Sequence, residues 1–218
     1  MSVESIILAV ISVLLTILSL CILIRNMKNP IHISLFVMII GAAIWVISNG
    51  LDYVYLSVLL TKSTYLGALL IAVGFLFFSF YFPFRQRRYT LLLHILIIIP
   101  IIILVLLLYT GDLFIEKMIE EGRKILYGPV FHIFNSIFLI YWFWGIYNFV
   151  MKYKVSDGFH KWQIKNLFFA IAFSFVAGII TNMVLPWMFN IWTLGWVGPM
   201  FSIVFFGFIS YILFKKNI

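Results

Sequence analysis

The stretch YTLLLHILIIIPIIILVLLLY, Tyr89 to Tyr109, decides the architecture. It carries no charged residue, and from Ile95 to Leu108 polar and apolar residues do not alternate. A barrel strand in a membrane would alternate. Backbone amides and carbonyls in lipid must be satisfied inside their own segment, so an apolar run of about 20 residues reads as a membrane-crossing helix. Six other runs share this character: Ile6 to Ile24, Pro30 to Asp52, Thr61 to Phe82, Gly128 to Met151, Trp162 to Leu185 and Ile191 to Phe214. The 218 residues are 65% hydrophobic and 10% charged, against roughly 45–50% and 25% in a soluble domain. That balance excludes a soluble globule, a disordered chain, a disulfide scaffold and a coiled coil. The expected fold is all-α: a polytopic seven-transmembrane-helix bundle in the plasma membrane, one domain over residues 1–218. Seven spans leave no room for a soluble catalytic domain. The first span has neither a basic leader nor a small-residue cleavage site, so it is expected to stay uncleaved.

The charges fall on two sides of these spans. Arg25, Lys28, Arg85, Arg87, Arg88, Lys152, Lys154, Lys161, Lys165, Lys215 and Lys216 lie on one side, with Asp157 as their only acid. Lys62, Lys117, Arg123 and Lys124 lie on the other, with Glu4, Asp52, Asp112, Glu116, Glu120 and Glu121. Eleven basic residues against four make the first side cytoplasmic. The N-terminus is then outside and the C-terminus inside. The net charge of +8 does not point to nucleic acid, because the basic residues are scattered between apolar runs.

Polar side chains at membrane depth face protein or a water-filled cavity. Trp45, Asn49 and Asp52 share one face near the outer end of the second span. His132 and Asn135 lie near the outer start of the fifth, and Asn182 near the outer end of the sixth. Trp192 and Trp196 open the seventh. Together they are candidates for the lining of an extracellular-facing ligand cavity. The plainer alternative makes the asparagines packing glue between helices, the tryptophans part of the interfacial belt, and Asp52 a solvated group. Cys21 is the single cysteine, so no intrachain disulfide or cysteine-based metal site can form. His32 and His94 have no companion at a metal-ligand spacing, His160 reads as a solvated residue of the basic inner loop, and no catalytic set is visible. The expectation is therefore no catalysis, no metal and no cofactor. The last span holds no lysine for a retinal Schiff base, and no charge sits at the middle of any run, which weakens a channel or transporter.

Small residues recur as helix-packing seams: Ala170, Ser174 and Gly178 on the sixth span, Gly198 and Ser202 on the seventh, Gly67 and Gly74 on the third. The polar segment Gly111 to Tyr127 has two readings. Its apolar residues fit one face of a short interfacial helix, the slightly favoured form. A β-hairpin turning at Glu121-Gly122 also fits.

Several motifs point further. The chain reads HKWQIKNL from His160, then TNMVLP from Thr181 to Pro186, GPMFS from Gly198 to Ser202 and YILF from Tyr211 to Phe214. Earlier come TKSTYLG from Thr61, TGDL from Thr110 and LYGP from Leu126. Their order, over about residues 60 to 218, resembles the N-terminal seven-helix sensor region of bacterial histidine kinases. The resemblance implies the sensory input domain of a two-component signal-transducing receptor. Such a domain detects an extracellular or membrane-borne ligand (a small hydrophobic molecule, a lipid or a peptide) and passes the signal through helix seven. It also implies a cytoplasmic kinase module, fused or separate, and a possible homodimer. Asn182 and Pro186, then Gln163, are the positions it carries over. The chain stops at Ile218 with no phosphoacceptor region, so a kinase would lie beyond it. The competing classes are a small transporter or channel and a non-catalytic membrane accessory protein.

Overall fold

The structure, a computed structural model, describes residues 3–52, 54–85, 90–119, 124–180 and 197–214, leaving aside the side chains of 118, 119, 124 and 174–179. Seven helices run through the described residues: α1 (Val3–Arg25), α2 (Pro30–Asp52), α3 (Val58–Tyr81), α4 (Leu91–Tyr109), α5 (Pro129–Val155), α6 (Gly158–Ile179) and α7 (Val197–Phe214). Between α4 and α5 stand two strands, β1 (Ile115–Ile119) and β2 (Lys124–Tyr127). Six of the described helices, all but α6, are long and apolar enough to cross a membrane. The first turns of α6 carry Lys161, Gln163, Lys165 and Asn166, so its apolar part begins late. The bundle is all-α and multi-pass, as the sequence predicts.

Two boundaries differ from that reading. Helix α5 continues to Val155, and α6 begins at Gly158, leaving only Ser156 and Asp157 between them. Lys152, Lys154, Lys161 and Lys165, counted as connection charges, therefore sit on helices. Gly158 makes the tight reversal possible, with φ of 45°, a conformation costly for any residue with a Cβ. The expected span ends at 185 and 191 lie outside the described residues.

The segment before α5 is the hairpin and not the interfacial helix. Antiparallel pairs run from Ile115 with Tyr127 to Ile119 with Lys124, with a register irregularity between Ile115 and Lys117. β-branched Ile115, Ile119 and Ile125 suit a pleated surface. The ladder also continues into the next helix: the Gly128 amide donates to the Phe114 carbonyl (3.0 Å) and the Val130 amide to that of Leu113 (3.2 Å). A Cβ at Gly128 would collide with the Leu113 carbonyl, which explains the glycine there. Phe114 and Ile115 are buried, anchoring β1 to the bundle. Burial of these two neighbours outweighs the one-sided helical pattern. The expected turn at Glu121-Gly122 lies outside the described residues.

The buried side chains form two clusters. One joins α1, α2, α6 and α7 with one face of α3, through Leu8, Met38, Phe75, Ile164 and Phe206. The other joins the opposite face of α3 to α4, α5 and β1, through Leu76, Ile101, Phe114 and Tyr141. Trp142 packs against both. Helices α2 and α3 meet backbone to backbone. A Cβ on Gly67 would lie 2.6 Å from both the Gly41 carbonyl oxygen and the Trp45 nitrogen, and one on Gly74 2.8 Å from the Met38 nitrogen. Between apolar helices in lipid, small residues allow the close approach from which packing energy comes. Gly67 and Gly74 are the expected seam on α3, and Gly41 completes it from α2. Ala170, Gly198 and Ser202, the expected seam residues of α6 and α7, are buried, and the two helices pack against each other. Ser174 and Gly178 belong to the stretch of α6 whose side chains are not described. Helix α4 is peripheral and buries a single strip, Ile97, Ile101, Leu104 and Leu108.

Candidate functional site

At the hairpin end, α3 supplies Tyr65 and the hairpin supplies Tyr127, whose hydroxyls are 2.7 Å apart. The Tyr65 ring meets Phe114, Phe134 and Phe131 edge-on, with centroids 4.9, 5.4 and 5.8 Å away. Tyr127 stacks on Phe131 at 3.9 Å. One turn before Tyr65, the buried Lys62 ammonium donates to the Gly111 carbonyl (2.8 Å), tying α3 to the chain that leads into the hairpin. Burial raises the Tyr127 phenol above its ordinary 10.0; its bond to Tyr65 opposes that shift, and the Asp52 carboxylate adds to it.

The sequence-predicted candidates divide at this end. Asp52 accepts from the Ser57 amide (3.3 Å) and the Thr61 hydroxyl (3.5 Å), so it braces the start of α3. The Asn49 amide donates to the Trp45 carbonyl one turn earlier (2.8 Å), a bond within its own helix. Trp45 is half-buried against α3, where its Cβ faces Gly67. His132 is exposed and Asn135 half-buried, both in the first turns of α5. Asn182, Trp192 and Trp196 lie outside the described residues. Tyr65, Lys62 and Tyr127 were not among the candidates. No spacing rule pairs Tyr65 with a residue 62 positions away.

A cavity of about 390 Å³ lies elsewhere, between α2, α3 and α4. Pro30, Ile33, Ser34 and Val37 line it from α2, and Val73, Gly74, Phe77 and Tyr81 from α3, with Ile98 and Ile101 on α4. Its two side-chain hydroxyls are engaged. Ser34 donates to the Ile31 carbonyl (3.0 Å), and Tyr81 bonds His94 of α4 (2.8 Å). His94 Nδ1 faces the Thr90 carbonyl at 2.8 Å and must carry the proton there. Its Nε2 is then the acceptor for the Tyr81 hydroxyl.

The end opposite the hairpin holds a set of polar ties. Lys152 is completely buried in the last turn of α5. Its ammonium donates to the carbonyls of Phe80, Phe82 and Phe84 at 3.0, 2.8 and 2.6 Å. Phe80 is one of the last carbonyls of α3, which lack helical partners, while Phe82 is the C-cap and Phe84 lies beyond it; a cation there also meets the negative end of the helix dipole. The Phe84 ring then packs on His160, centroids 5.5 Å apart. His160 Nδ1 donates to the Gln163 side-chain oxygen (3.2 Å), and the Gln163 amide donates to the Ile212 carbonyl of α7 (3.3 Å). Two more groups hold the same turn of α7. The Arg25 guanidinium lies 4.2 Å from the Phe214 ring centroid, and His32 meets the same ring edge-on at 5.9 Å. The His32 Nδ1–H donates to the Ile22 carbonyl (2.9 Å), which fixes its ring. The last turn of α7 is thus tied to α1, α2 and α6.

A family model described as the N-terminal 7TM region of histidine kinase matches residues 5–216. No curated protein and no solved structure matches the chain.

Proposed function

The chain belongs to the family of N-terminal 7TM regions of histidine kinases, and from that premise we propose that its bundle detects an extracellular or membrane-borne ligand and passes the signal through α7 to a kinase module. The observation that supports this route is the set of ties on the last turn of α7, Gln163 to Ile212 and Arg25 and His32 around Phe214. A helix held by three neighbours at its exit changes position when those neighbours move. The basic-residue asymmetry supports an orientation with the hairpin outside and this end in the cytoplasm. The reading assigns the ligand contacts to the hairpin end, with Trp45, Asn49, Asp52, His132 and Asn135; the other candidates, Asn182, Trp192 and Trp196, lie outside the described residues. A homodimer would be the working unit. A transporter has less support, because Lys62 and Lys152, the lysines buried among the described residues, both bond backbone carbonyls.

The test is a fusion in which α7 runs into a histidine-kinase core. A ligand or a substitution shifts output only by its differential effect on two bundle states. A single hydrogen bond is worth about 1 kcal/mol, or about a fivefold change in a two-state ratio. Gln163→Leu is expected to change basal autophosphorylation by about that factor with normal membrane insertion. Basal and stimulated output equal to wild type in both Gln163→Leu and Arg25→Ala would remove α7 as the route.

A further inference from the structure

We infer that the groove between α2, α3 and α4 binds one acyl chain of an anionic phospholipid, with the headgroup held at Lys28 and Arg85. The groove lies in the membrane-crossing part of three spanning helices, and two of its lining residues, Ile33 and Ile98, are among the exposed apolar side chains. It therefore opens sideways, toward lipid and not toward water. Its lining is aliphatic and aromatic, and its two hydroxyls are already bonded within the protein. Such a wall offers nothing to a sugar, an ion or a peptide backbone, and it matches a hydrocarbon chain. Its length fits as well. From Pro30 to Val37, or from Tyr81 back to Val73, the helices rise about 10–12 Å, within the roughly 15 Å of hydrocarbon in one leaflet.

The charge stands where a headgroup would be. The groove ends at Pro30 and Tyr81, the end of the bundle opposite the hairpin. Lys28 is exposed two residues before Pro30. Arg85 lies with its guanidinium 5.8 Å from the centroid of the Tyr81 ring. Asp157, between α5 and α6, is the only acid the sequence assigns to this side. Basic residues at the membrane surface attract anionic headgroups by about 1 kcal/mol each, and an apolar slot beside them converts that attraction into a defined site. The Tyr81–His94 bond joins α3 to α4 at this end. The inference rests on the membrane location and stands apart from the signalling proposal.

Native mass spectrometry of the full chain, released from micelles containing equal amounts of dioleoylphosphatidylglycerol and dioleoylphosphatidylcholine, tests it. The expected result is one retained phosphatidylglycerol, favoured about tenfold over the neutral lipid. Joint Lys28→Gln and Arg85→Gln substitution should abolish the preference. Ile98→Trp, which fills the groove from an exposed position on the peripheral helix, should abolish retention of both lipids, and Ile33→Trp does the same from α2 if the first variant misfolds. Equal retention of the two lipids by the wild type would overturn the proposal, as would undiminished phosphatidylglycerol retention in the folded tryptophan variants.

Discussion

Lys152 carries a charge that the sequence assigns to a connection and the fold puts to another use. In a count of basic residues it adds to the more basic side, and it stands at the end of the bundle opposite the hairpin. What the count cannot express is that its ammonium is buried and donates to three carbonyls, from Phe80, Phe82 and Phe84. An acceptor left buried without a donor costs about 1–3 kcal/mol, and bonds from a charged donor are stronger than neutral ones. Lys152→Met keeps the length of the side chain and removes every donor. Its expected cost is about 3 kcal/mol, read as a lowered midpoint in thermal unfolding of the purified protein in detergent. A midpoint equal to wild type would mean that water reaches these carbonyls. Gln163 shows the opposite case. It stands in the motif that resembles the family, and its side-chain amide donates to the Ile212 carbonyl of α7.

The elements differ in how far local pattern determined them. The helices were legible because twenty apolar residues in lipid have few other ways to satisfy their backbone. The hairpin was not, because Phe114 to Leu126 suits two periods and a remote partner decides between them. Tyr65 on α3 is that partner, through its bond to Tyr127 and its edge contact with Phe114. Tyr65→Phe and Tyr127→Phe are each expected to cost about 1 kcal/mol, and the double variant little more than either, since one bond is shared. Additive losses in the thermal midpoints would show that the two hydroxyls bond elsewhere. The pair also has a pH signature. Burial raises the folded phenol of Tyr127 above 10.0, so the native state keeps a proton that the unfolded chain releases. The contribution to stability is fully present below pH 10 and declines as pH rises through the higher folded value. Tyrosinate absorbance in an alkaline titration of the Tyr65→Phe variant against wild type checks the assignment.

For the whole molecule, topology follows from a tally, while sites follow from contacts between distant parts of the chain. The seven-helix bundle was readable because each span is a local property. The groove was not, because it exists only where α4 stands off from the glycine-packed pair of α2 and α3. The outer candidates stand out by residue type, and of those described two reach the hairpin cluster: Asp52, whose carboxylate acts on the Tyr127 phenol, and His132, which meets the Phe131 ring edge-on at 5.9 Å. The orientation is testable directly. In a Cys21→Ser background, a cysteine at Glu116 is expected to react with a membrane-impermeant maleimide on intact cells, and one at Lys28 only after permeabilisation. Both positions are exposed. Labelling of the Lys28 position from outside would invert the bundle and move the proposed ligand end to the cytoplasm.

The Lys152 contacts also impose an order in time. The carbonyls it satisfies precede it in the chain by 72, 70 and 68 residues. At a synthesis rate of about 5–20 residues per second, they are made roughly 4–14 s before their donor. During that interval the end of α3 must find water or a lipid headgroup, and α4 and the hairpin are threaded past it in the meantime. The arrival of the last turn of α5 replaces those temporary partners with a permanent one. Assembly at the end opposite the hairpin is thus timed by one side chain, and a nascent chain halted before Lys152 would leave α3 capped by solvent.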